Sequence, residues 1–264
     1  MNAKLRSGTP ADAAGCGPIL FEAFKSVADQ HNFPWDFPSV EIANRVATNL
    51  LSDSGFYSVV AELDGKVVGS NFLDERNPIA GIGPITVDPV MQNQTVGRQL
   101  MQAVLERAAQ RKFAGVRLVQ AAYHNRSLCL YTKLGFETRE TLSKMDGGPI
   151  EIRFPAYDVR TAIESDLRAC DSLCLQVHGH DRGGELRDAV KAGTAKVVEH
   201  LGRISGYATD LAFFAHAVGE TSQDIIALIA SGSDLASKGG ILVPTRNGEL
   251  FRWCLSNGLR LVHQ

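Results

Sequence analysis

The 264 residues are 44% hydrophobic and 21% charged, with a formal net charge of −2. That composition suits a folded chain of one large or two modest domains and excludes a disordered or fibrous one. Neither half has the Lys/Arg excess of a nucleic-acid or membrane surface, and no run of about 18 apolar residues or apolar leader is present, so no nucleic acid, no membrane partner and a cytoplasmic location are expected. Cys16, Cys129, Cys170, Cys174 and Cys254 are scattered, which reads as buried free thiols in a reducing compartment. His178 and His180 lack an evident third ligand, so no metal site is expected.

In chain order, KLRS predicts a short strand. Thr9, Pro10 and Asp12 then form a helix start, with the helix running to about Val27. An aromatic, proline-rich loop, DQHNFPWDFP, leads to a second helix in SVEIANRVATNLLSD. GFYSVVAELDGKVVGSNFLDE reads as a hairpin turning at Asp64-Gly65. IAGIGPITVDP reads as a third strand stopped by Pro89, and a helix follows from Val96 to Gln110. AGVRLVQAA is apolar enough for a sheet interior. NRSLCLYTKLGF is a short helix closed by Gly135, and ETRETLSKM a last strand. The order βααβββαβαβ requires an α/β fold: a mixed central sheet with flanking helices.

The turn between the third strand and its helix, Gln92 to Arg98, contains no acidic residue. A helix start has main-chain N–H groups without intrahelical partners and a positive dipole end, so it can hold an anion. Gln92, Asn93, Gln94 and Thr95 would not repel one. Gly97 permits close approach, and Arg98 adds charge. An ordinary helix start capped by Thr95 is the alternative. The absence of GxGxxG and of a Lys-Ser/Thr ending argues against dinucleotide and P-loop sites.

Two motifs here resemble those of the GCN5-related N-acetyltransferases (GNAT). The first is Val87, Pro89, Gln92, Thr95, Val96, Gly97 and Leu100, with Thr95 where the family usually has glycine. The second is Asn125, Tyr131, Lys133, Gly135 and Phe136. The resemblance is strong over roughly residues 4 to 145 and implies a GNAT-like fold using acetyl-CoA (coenzyme A). It implies that main-chain groups of Ile85 and Val87 pair with the pantetheine arm, that N–H groups from Asn93 through Gln94, Thr95, Val96 and Gly97 to Arg98 hold the pyrophosphate, and that Asn125 contacts the arm or braces its helix. Tyr131 would face the sulfur as proton donor; a buried structural tyrosine and an Asn125 N-cap are the alternatives. Such a fold places the cofactor wedge between PITV and RLVQAA, with the N–H of Ile85 or a neighbour as oxyanion donor. The general base stays open between Glu22, His124, His31 and a water relay. Phe33 and Trp35 either line the acceptor site or cover the core edge.

The second half repeats the plan. AYDVRTAIESDLRACDSLCLQV echoes the first strand and helix, and GTAKVVEHLGRISGYATDL the hairpin. VGETSQDIIALI replaces the acid-free turn with Glu220 and Asp224, and Trp253 stands where Tyr131 does. The expected domains are therefore 1–145, an acetyltransferase; 146–157, a linker; and 158–264, a smaller degenerate copy that is structural or shapes the acceptor pocket. The expected function is direct acetyl transfer from acetyl-CoA to a primary amine, of a small molecule in preference to a protein. A non-catalytic acyl-CoA sensor or regulatory module is the alternative, followed by an interaction protein with a dead turn. A homodimer is left open.

Overall fold

The computed structural model describes residues 3–92, 94–150, 152–232 and 234–264. The chain divides into two compact units, Met1–Leu134 and Gly135–Gln264.

The first unit runs β1 (Lys4–Ser7), α1 (Ala13–His31), α2 (Val40–Ser52), β2 (Phe56–Leu63), β3 (Lys66–Asp74), β4 (Ile79–Ile82), β5 (Thr86–Val87), α3 (Val96–Gln110), β6 (Gly115–Arg117) and α4 (Asn125–Lys133). Its sheet has the order β1-β2-β3-β4-β6, with β5 on β3. Only β4 and β6 pair in parallel. Asp64 and Gly65 both take positive φ, 48° and 75°, the twist a two-residue hairpin needs between β2 and β3. Cys16 of α1, Ala47 and Leu51 of α2, Val60 of β2 and Phe72 of β3 are buried together, which ties the helices to one sheet face. The helix predicted to end near Val27 continues to His31, carrying Pro18 inside it.

Two expectations about strands are corrected. IAGIGPITVDP is two strands, because the chain breaks step at Gly83-Pro84 and β5 leaves β4's line. AGVRLVQAA is paired over Gly115–Arg117 only, and Val119 is 62% exposed.

The second unit comprises β7 (Leu142–Asp146), β8 (Tyr157–Thr161), α5 (Leu167–His178), α6 (Gly183–Ala192), β9 (Lys196–His200), β10 (Arg203–Ala208), β11 (Ala217–Gly219), α7 (Ser222–Ala230), β12 (Ile241–Pro244), α8 (Gly248–Ser256) and β13 (Arg260–His263). One sheet is ordered β11-β10-β9-β8, another β12-β7-β13. From β8 onward the element order follows that of the first unit, except that the single strand β11 stands where the first unit has β4 and β5. The likeness extends to a polar clamp. In β1, Arg6 binds Asp12 at 2.7 and 2.9 Å and Glu62 at 2.9 Å. In β8, Arg160 binds Asp166 at 2.6 and 3.0 Å and Glu199 at 2.6 and 2.8 Å. The register is the same: the residue two before each arginine lies opposite the glutamate, Lys4 against Glu62 and Asp158 against Glu199. Each aspartate also accepts a main-chain N–H three residues back, from Thr9 or Ile163.

The boundary after Leu134 falls earlier than the one expected at residue 145. The last predicted strand, β7, pairs on both sides within the second unit, with β12 and β13. Its Met145 is fully buried among Leu228, Leu235, Ile241, Val243, Cys254 and Leu259. Cys16, Cys170, Cys174 and Cys254 are buried free thiols as expected, whereas Cys129 is free and exposed. Among the described residues, no helix is long and apolar enough to cross a membrane.

Candidate active site

The parting of β5 from β6 creates the site. Parallel pairing of β4 with β6 ends at Gly81 opposite Arg117. Beyond that point the chain shifts at Gly83-Pro84, and β5 pairs only with β3. Asp88 N–H donates to Val68 O at 2.9 Å. Main-chain direction alternates along a strand, so the groups of Ile85 and Val87 turn away from β3 toward the side β6 has left. Three residues past the end of β6, the carboxamide oxygen of Gln120 is buried without a hydrogen-bond partner among the described residues, a costly arrangement unless another donor completes it.

At one end of this opening stands the start of α3. Gln99 N–H is bonded to Thr95 O, so the N–H groups of Val96, Gly97 and Arg98 precede the helix ladder. The Thr95 side chain makes no capping bond at this start. The ordinary-cap reading of Thr95 is thereby corrected: its hydroxyl donates to Gln94 O at 2.6 Å. Thr95 holds φ 67° and ψ −7°, a left-handed conformation that costs a β-branched residue on the order of 1 kcal/mol. Glycine adopts it without strain, which gives a physical reason for the usual glycine here. Gln94 and Thr95 are exposed and Val96 is buried. Asn93 lies outside the described residues.

Helix α4 lies beside this turn. Leu130 Cδ2 comes within 3.8 Å of the place a Cβ on Gly97 would occupy. Gln92 bridges the two segments: its carboxamide donates to Val87 O at 3.4 Å and accepts from Arg126. That bridge was not foreseen; only the proximity of Gln92 and α4 in space reveals it. Asn125 is the exposed first residue of α4 and not its cap, since His124 holds the cap position without a capping bond.

The titratable groups gather along one face of α4. Tyr131 is buried at 7% exposure. Burial pushes its phenol above the ordinary value, and a hydrogen bond from the Ser127 hydroxyl pulls partly back. Ser127 Oγ also lies 2.9 Å from His124 Nδ1. Burial, then the charges of Arg126 and His31, hold the His124 imidazole below its usual value. Phe33 stacks on Tyr123 with ring centres 4.3 Å apart, and His31 packs against the same ring at 5.2 Å. Burial, then Asp36, raises the Tyr123 phenol to about 12. Trp35 turns elsewhere: it meets Phe21 edge-on, carries Lys25 over its face and donates to Asp29. Glu22 is exposed on α1 near Lys25. His124 and Tyr131 are thus drawn together through Ser127, while Glu22 joins no recorded bond of that group.

Residues 20–136 match the model of the Acetyltransferase (GNAT) family. No curated protein sequence matches the chain. Among solved structures, a presumed acetyltransferase from Pyrococcus horikoshii is similar over all of this chain and 87% of its own, with a TM-score of 0.71 at 17% identity. A PaiA N-acetyltransferase from Thermoplasma acidophilum, solved in complex with coenzyme A, is similar over 53% of this chain and 93% of its own, with a TM-score of 0.47 at 15% identity. The first of these likenesses, at 17% identity, speaks to the fold alone. Residues 20–136, which contain the divided strands, the helix start at Thr95 and the Tyr131 helix, are thus the part of the chain that is similar to the Acetyltransferase (GNAT) family.

Proposed function

We propose that the protein is an acetyl-CoA-dependent N-acetyltransferase that transfers the acetyl group directly to the primary amine of a small molecule. Acetyl-CoA serves here as a substrate whose thioester supplies an activated acetyl group. The observation that carries this reading is the uncapped start of α3 at the mouth of the β5–β6 opening, with α4 alongside. A diphosphate suits the N–H groups of Val96, Gly97 and Arg98 and finds no carboxylate among Gln92, Gln94 and Thr95. An amide-bearing arm suits the outward main-chain groups of Ile85 and Val87, and Gln120 offers it an orphaned acceptor. The N–H of Ile85 or a neighbour would be the donor to the carbonyl oxygen as it gains charge. Tyr131 is the proton donor to the leaving sulfur, and Asn125 borders the arm. The ring pair Phe33–Tyr123 favours an acceptor with an apolar or aromatic portion.

The second unit is, on this reading, a degenerate copy that binds no acyl donor. At its corresponding helix start, Asp224 accepts from Thr221 N and Oγ1 at 2.8 and 2.7 Å, and from Ser205 Oγ. A carboxylate already occupies the position that an anion would need.

One observation favours a second reading, a non-catalytic acyl-CoA sensor. Gln92 holds Val87 O and Arg126 together, so admission of an arm at Val87 would break a bridge to α4 and move that helix. Calorimetry with acetyl-CoA, combined with a free-thiol assay over an amine panel, separates the two. We expect one molecule bound per chain and thiol release that depends on the amine. Binding without amine-dependent release would establish the sensor, and no binding would refute both.

A further inference from the structure

Tyr131, Ser127 and His124 occupy successive turns of one helix face, at i+7, i+3 and i, the spacing that brings side chains into contact. His124 Nδ1 and Ser127 Oγ are 2.9 Å apart, and the same hydroxyl, one helical turn before Tyr131, is the group that draws its phenol back down. A serine hydroxyl has one proton to give and lone pairs to receive another. It can therefore accept from His124 Nδ1–H and donate to Tyr131 at once. The two ends differ in setting. Tyr131 is buried at 7% exposure. His124 is half-buried and follows Tyr123, whose ring stacks on Phe33, with Arg126, His31 and, near Tyr123, Asp36 as charged or titratable neighbours.

Resting on the acetyltransferase reading, we propose that Ser127 is the middle link of a proton circuit from the acceptor amine to the thioester sulfur, by way of His124 and Tyr131. The balance is simple. The amine nitrogen bonds to the carbonyl carbon as the carbon–sulfur bond breaks. The N–H proton passes to His124 Nε2, and the Nδ1 proton passes to Ser127 Oγ. Ser127 gives its own proton to Tyr131, and the phenol protonates the departing sulfur. One proton leaves nitrogen and one arrives at sulfur, no residue retains charge, and His124 ends as the other neutral tautomer. The low-lying imidazole is unprotonated at neutral pH, ready to receive. Ser127 touches neither substrate and is a positioning and relay residue, which explains how one buried phenol can be reprotonated without water.

The test begins with the free protein. Nitrogen-detected imidazole NMR reads the His124 tautomer, and ultraviolet titration against Tyr131→Phe reads the phenol. In Ser127→Ala we expect His124 to lose its Nδ1–H preference and the Tyr131 titration to move upward. Single-turnover acetyl transfer should fall on the order of 10²-fold, with acetyl-CoA affinity kept within about threefold and the limb of the pH–rate profile assigned to His124 displaced. Ser127→Thr should restore tautomer, titration and rate. If Ser127→Ala does not fold, Tyr131→Phe reads the coupling from the other end through the His124 tautomer. An unchanged tautomer and phenol titration, or an unchanged single-turnover rate and pH profile, overturns the circuit. Failure of the parent protein to release thiol with any amine would instead overturn the acetyltransferase reading, and the titrations of the free protein would still decide whether the three side chains are coupled.

Discussion

At the start of α7, Thr221 and Asp224 form a reciprocal cap, and Asp224 is buried at 1% exposure. At the start of α3, the corresponding position has a strained Thr95 whose side chain makes no capping bond. The next helices differ in the same sense: Asn247 caps α8 by accepting from Leu250 N at 3.1 Å, while Asn125 caps nothing and is exposed. Two units with one element order and one arginine clamp thus diverge where a helix meets a loop. Local stability favours closing those ends; the first unit leaves them open. Departures of this kind from local optimality belong to functional sites.

The comparison breaks most sharply by exchanging charge at the third helical position. Arg98→Asp would put a carboxylate where α7 has Asp224, and we expect acetyl-CoA affinity to fall on the order of 10- to 100-fold by calorimetry, with the thermal midpoint unchanged or raised. The opposite change, Asp224→Ala, should lower stability by about 2 kcal/mol in denaturant titration, because Ser205 and Thr221 lose their partner, without creating a second binding site. A smaller contrast lies in the asparagines. Asn247→Ala should cost about 1 kcal/mol and Asn125→Ala less than about 0.5 kcal/mol; equal costs would show that the two helix starts do not differ as described. Thr95→Gly should gain a few tenths to about 1 kcal/mol by removing left-handed strain, with coenzyme affinity no weaker than before.

The clamps offer a control that should behave alike in both units. The guanidinium of Arg6 holds Asp12 down to about 2, and Arg160 lowers Asp166 in the same way. Each carboxylate is depressed relative to the unfolded chain, so its contribution is full above about pH 4 and drains as pH falls toward 2. Arg6→Gln should move the acid-unfolding midpoint upward, as should Arg160→Gln.

Most of the architecture was legible because it rests on local signals. Asp64-Gly65 demands a hairpin, Val96 to Gln110 has helical spacing, and Gly135 ends α4 with a φ of 92°. What escaped depends on pairing at a distance. Nothing local distinguishes Leu118 and Val119, which leave the sheet, from Val116, which stays in it. β7 carries no mark of which strands it will join. The turn before α3 stood out in the sequence by its lack of acid, and Tyr131 by its motif. Ser127 was not: a serine three residues into a helix is unremarkable until His124 and Tyr131 are seen to flank it on one face. Nor could the sequence reveal that Thr95 sits in a glycine conformation and caps nothing.

The position of β7 has a consequence for descent. This strand, which the repeat pattern assigns to the end of the first copy, lies between β12 and β13 with Met145 in the second unit's core. A chain restarted at Tyr157 would lose the middle of a sheet, and one stopped at Asp146 would leave a strand with bare edges. With a strand placed in this way, neither half can be deleted at the repeat boundary without damage to a sheet. The arrangement acts as a ratchet, and the second unit can persist behind it whether or not it carries chemistry of its own.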